Sequence, residues 1–146
     1  MLKKGILMLG TLLAVTSVCF AQATDQGPEV KKAVIKQTSA ASGKEMYLQY
    51  CAPCHGIDGT GKGPAASAMK SQPTDLTQLA RKHDGKYPAN SVAGVLKFGS
   101  GSNAAHGSAD MPVWGPLFQS LDKYHEAVVQ QRISNLVSYI ETLQAK

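Results

Sequence analysis

The run Cys51-Ala52-Pro53-Cys54-His55 narrows what this chain can fold into more than any other feature. C-x-x-C-H is the attachment signature of a c-type haem. Two thiols form thioethers with the vinyl groups of one porphyrin. The adjacent histidine then lies beneath the iron, where its imidazole serves as an axial ligand. A chain linked in this way folds around a flat macrocycle rather than around side chains alone. Cys51 and Cys54 are the candidate attachment residues for one haem c, and His55 is the candidate iron ligand.

The 146 residues suffice for one domain. Lys3 and Lys4 precede an uncharged, almost wholly apolar run from Gly5 to Val18, and Ala21-Gln22-Ala23 matches an A-x-A cleavage site. The apolar run falls short of the roughly 20 residues of a bilayer span. Residues 1–23 therefore read as an export signal, which places the mature chain in the periplasm; an uncleaved anchor is the competing reading. Bulky Val18 directly before Cys19 argues against lipidation. Cleavage after Ala23 leaves two cysteines, both in the haem motif, so a wider disulfide framework is excluded. The formal charge of +5 includes Lys3 and Lys4. What remains without them is too weak a basic balance for nucleic acid, which calls for a concentrated patch. It suits brief docking to a redox protein, where local charge placement matters more than the total.

Residues 24–41 carry few large apolar side chains and read as a flexible lead-in to a domain spanning 42–146. Ser42 offers an N-cap, with Glu45 three residues on in a capping-box pattern. Met46, Tyr47 and Tyr50 form the apolar stripe of a short helix that delivers Cys51 at its end. Gly56 to Pro64 is too glycine-rich for regular structure, and its glycines allow close approach to a flat ligand. A turn over 65–70 follows. Pro73 to Arg81 reads as a helix start capped by Thr74, and Ser91 to Phe98 as a short helix closed by Gly99. From about Leu121 to Gln144, Val129, Ile133, Leu136, Val137, Ile140 and Leu143 recur at three- and four-residue steps, an amphipathic helix that needs a partner. The helix at 43–50 is the natural one. No alternating strand pattern stands out, so the fold class is all-α, with long loops.

An iron that only carries electrons needs a sixth ligand, and methionine sulfur raises its potential. Met46 and Met69 read as core residues. Met111 stands apart in Ala109-Asp110-Met111-Pro112-Val113-Trp114-Gly115-Pro116, where Pro112 biases it toward an extended backbone. His106, five residues earlier, is the rival ligand. His83 and His125 read as solvated.

Together these residues resemble a class I cytochrome c from Ser42 to the C-terminus. Cys-His-Gly-x-Asp-Gly-x-Gly-x-Gly-Pro and Met-Pro-x-Trp-Gly are similar to exported bacterial monohaem cytochromes and to cytochrome domains of respiratory complexes. The resemblance implies a small cytochrome c fold whose first and last helices cross, pairing Gly43 and Tyr47 with Ile133, Val137 and Ile140. It also implies that the Pro64 carbonyl orients the proximal imidazole through its other nitrogen. Trp114, Tyr87 and Arg81 become candidates to line the pocket or bond the haem propionates. The implied function is one-electron transfer, without catalysis, between partners of a respiratory or photosynthetic chain. Also implied is a monomer or a subunit of a larger complex, touching membrane only through partner complexes or an uncleaved signal anchor.

An open-site haem enzyme or gas or redox sensor is the alternative. It requires a vacant sixth position, and the c-prime type carries its motif near the C-terminus instead. A thiol–disulfide oxidoreductase would place the cysteines at a helix start after a strand, and a zinc site would need a second ligand pair. Neither pattern is present.

Overall fold

The computed structural model describes residues 35–99, 111–123 and 125–145. The expected export signal, the lead-in up to residue 34 and His106 lie outside these residues. The described chain is helical, with no strand among the described residues.

The first helical arm runs from α1 (Gly43–Met46) through a π-helical stretch (Tyr47–Cys51) into α2 (Ala52–His55). Ser42 caps it, its hydroxyl accepting the Glu45 N–H at 3.1 Å. The Glu45 carboxylate reaches past Ser42 and accepts from the Ser39 N–H at 3.3 Å. The arm does not stop at Cys51, as the sequence suggests. Pro53 falls in the first turn of α2, where a missing N–H is tolerated, so helix continues through the motif to His55. Gly56, at φ 80, then ends it.

Three single 3-10 turns follow, at Ala66–Ala68, Leu76–Gln78 and Arg81–His83. The helix expected over 73–81 is thus two such turns. Asp75 rather than Thr74 is the cap, its carboxylate accepting the Thr77 N–H at 2.9 Å. α3 (Ala89–Phe98) ends at Gly99, as expected.

The terminal helix, expected from about Leu121, begins at Glu126, and a helix the sequence did not announce precedes it. α4 (Trp114–Leu121) and α5 (Glu126–Thr142) are separate elements, and Lys123 between them takes φ 50, a left-handed conformation that no helix interior accommodates. The apolar face of α5, Val129, Ile133, Leu136, Val137 and Ile140, is buried. It crosses the first arm at Gly43, where a Cβ would lie 2.0 Å from the Asn135 carbonyl oxygen. Only glycine permits this approach. Beside the crossing, the Tyr47 and Tyr139 rings lie 5.2 Å apart.

The segment ahead of α1 is fastened rather than flexible from residue 35 on. The Tyr50 hydroxyl donates to Lys36 O at 2.6 Å, and Asn135 Nδ2 donates to Ala40 O at 2.9 Å. Thr38, 6% exposed, accepts from Arg132 Nη1 at 3.1 Å. The packed unit therefore begins ahead of Ser42.

Candidate haem site

Three distant stretches of chain meet around one cavity of about 290 Å³. α2 and the turn before it contribute Cys51 and His55, the segment after residue 110 contributes Met111, and Thr74 approaches from the loop between them. The walls are apolar: Leu76, Leu79, Val92, Val95, Leu96 and Ile140. Lys82 and His83, both exposed, bring basic side chains to its rim.

Cys51 is 5% exposed and its thiol is pushed up to about 12, first by burial and then by Cys54. Cys54, three residues on, is half-buried; that spacing puts both sulfurs on one side of a helical turn. Both cysteines are free thiols. His55 Nδ1 lies 2.9 Å from the Thr74 carbonyl oxygen, which fixes the tautomer with Nδ1 as donor and leaves Nε2 its lone pair. Burial holds the imidazole below its ordinary pKa and outweighs the opposing pull of the Thr74 bond. The neutral form of the ring is thus favoured, and it offers one oriented lone pair.

The ring-orienting carbonyl expected of Pro64 belongs to Thr74. The reason lies in the glycine-rich loop, which folds back onto the end of α2. Gly61 N donates to His55 O at 2.7 Å, Gly63 N to Cys54 O at 3.0 Å and Ala65 N to Pro53 O at 2.8 Å. This backbone lacing leaves Pro64 exposed, and the chain reaches His55 only on its next pass. The loop's glycines serve protein packing, not a ligand. A Cβ on Gly61 would sit 2.2 Å from Pro73 O, and none of these glycines lines the cavity.

Trp114 is also away from the cavity lining. It is 7% exposed and stacks on Tyr50 at 5.2 Å, with Phe118 at 5.6 Å, so its part is in the aromatic core. The Tyr87 hydroxyl donates to Val137 O at 3.1 Å, and Arg81 is exposed outside the lining. His83, read as merely solvated, lines the rim. A cavity-facing role for His83 and the Thr74 carbonyl had no signature in the sequence, because each depends on how the loop is folded.

The donor set suits haem: an apolar slot, two thiols one turn apart, a neutral imidazole held from behind, and a thioether on the same cavity. The model of the Cytochrome c family matches residues 40–144. The chain belongs to the cytochrome c family. Neither the curated proteins nor the solved structures compared with it give a match. Membership implies covalently bound haem c within the stretch that holds Cys51 and Cys54, and with it the electron transfer typical of a cytochrome c. Among the described residues, no helix of this cytochrome c is long and apolar enough to cross a membrane.

Proposed function

We propose that this cytochrome c is a periplasmic one-electron carrier, with one haem attached through Cys51 and Cys54 and its iron ligated by His55 and Met111. The observation that carries this reading is that Met111 and His55, 56 positions apart in the sequence, line the same apolar cavity with Cys51. When bound, haem supplies a ferric/ferrous couple that changes charge without making or breaking substrate bonds.

The chain's own residues serve that couple in three ways. The Thr74 carbonyl holds the imidazole in one orientation and raises its basicity. Leu76, Leu79, Val92, Val95, Leu96 and Ile140 exclude water from the slot. The rim at Lys82 and His83 stays open to solvent, where an electron partner can approach. The export reading rests on Lys3, Lys4, the apolar run and Ala21-Gln22-Ala23. Redox proteins of a respiratory or photosynthetic chain are the partners this location suits.

The deciding measurement is an absorption spectrum of the holoprotein and its Met111→Ala variant. The parent is expected to show a weak long-wavelength sulfur-to-iron band when ferric, and sharp ferrous bands unchanged by carbon monoxide. Met111→Ala is expected to lose the band and bind carbon monoxide. A parent that binds carbon monoxide freely is an open-site haem protein instead, and a variant with the parent spectrum moves the test to His106.

A further inference from the structure

Arg132 is 1% exposed and heads the fully buried side chains by volume. A guanidinium out of water is costly unless its donors are matched, and here they are. Nε and Nη2 meet the Asp122 carboxylate at 2.5 and 3.0 Å. Nη1 donates to Thr38 Oγ1 at 3.1 Å and faces Met46 Sδ at 3.7 Å. The guanidinium carbon lies 5.8 Å from the Phe118 ring centroid.

Two of these partners belong to one element. Phe118 is within α4, and Asp122 is its C-cap. α4 begins three residues after Met111, across the stiff Pro112, and has no side-chain cap of its own at that end. The position of Met111 therefore follows the position of α4. At the near end, Trp114 stacks on Tyr50 with planes 29° apart, and Tyr50 directly precedes Cys51. At the far end, Arg132 holds Asp122. A continuous path of side chains, Tyr50–Trp114–Phe118–Arg132, thus joins the helix bearing His55 to the helix that places Met111.

We propose that Arg132 is a positioning residue for Met111: by clamping α4 to α5 and the first helical arm, it holds the thioether where it can stay on the iron. This rests on reading Met111 as the second ligand. Loosening the clamp lets α4 drift, raises the fraction of molecules with the thioether off the iron, and exposes that iron to competing ligands.

The test uses haem-loaded protein and reads two signals, the ferric sulfur-to-iron band and the apparent affinity for imidazole. The main variant is Arg132→Met with Asp122→Asn, which removes both charges together and leaves no lone buried carboxylate. Tyr87→Phe is the control. It deletes a different bond to α5, at Val137, and leaves α4 untouched. The double variant is expected to bind imidazole about tenfold more tightly than the parent while far-UV helicity is retained, and Tyr87→Phe is expected to match the parent. If the double variant loses helicity, Arg132→Lys takes its place, because it keeps the charge but not the planar fork; raised imidazole affinity is again expected. Parent-like affinity in the variant that folds overturns the proposal, as does an equal rise in Tyr87→Phe, which would mark general loosening. Met111→Ala separates the two readings. If it binds imidazole readily while the Arg132 variants do not, Met111 is the ligand and Arg132 does not position it. If Met111→Ala keeps the band, both readings fall.

Discussion

At the residue scale, single atoms behind the haem motif carry much of its order. The Tyr47 hydroxyl donates to the buried Gly56 carbonyl at 2.7 Å, fastening the point where α2 ends after His55; burial first, then nearby Cys51, raises its phenol above the ordinary range. Tyr47→Phe leaves that carbonyl only the Gly59 N–H, at 3.2 Å, and is expected to cost about 0.5–1.5 kcal/mol, read as a lower denaturation midpoint with an unchanged slope. Asp58 accepts from the Thr60 N–H at 3.1 Å and from the Thr60 hydroxyl at 2.9 Å, and these bonds hold its carboxyl below its ordinary pKa. The sign follows from that depression. Its contribution is present above the usual Asp range, near 4, and is lost as pH falls through the lower folded value. Asp58→Asn is therefore expected to flatten the acid limb of the stability curve, measured by denaturation at a series of pH values. Cys51, Cys54 and His55 stand out as candidates in the sequence because their side-chain types at C-x-x-C-H spacing announce a chemistry, and Cys51 and His55 do line one cavity. The Thr74 carbonyl does not stand out, since every residue owns a carbonyl and only the returning loop brings this one to the imidazole.

At the element scale, close approach matters more than propensity. The α1–α5 crossing depends on Gly43, whose missing side chain makes room for the Asn135 carbonyl. Gly43→Ala would improve helix propensity, yet overpacking at the crossing is expected to cost about 1–3 kcal/mol or more, seen as a lower thermal midpoint of the holoprotein. The crossing of first and last helices was foreseen from the resemblance, and the apolar period of α5 from its spacing. α4 was not: Gly115 and Pro116 disguise its first turn as loop, although Pro there is tolerated and Leu117, Phe118 and Leu121 continue the helix. The break before α5 was equally hidden, because the apolar repeat says nothing of the left-handed Lys123.

At the scale of the whole molecule, the cavity is the part of the core that the chain does not fill for itself. Left empty, the slot of about 290 Å³ turns its apolar walls toward water and forfeits the burial that is the dominant favourable part of folding. A Cys51→Ala, Cys54→Ala double variant that fails to attach haem is expected to lose fixed tertiary packing, seen as a collapsed near-UV dichroism signal with part of the helical signal retained. The parent's near-UV signal is the comparison. The π-helical stretch adds a constraint of phase. Ala52 N bonds Tyr47 O, five residues back, so one turn of the first arm holds an extra residue. Everything beyond it is rotated by about 100° relative to an unbroken α-helix. That offset lets Gly43 mesh with α5 while Cys51 and His55 face the slot, as two gears on one shaft are keyed at different angles. A chain shortened by the half-exposed Leu48 would regain a regular ladder and lose the keying. In this arm, then, length is as specific as chemistry.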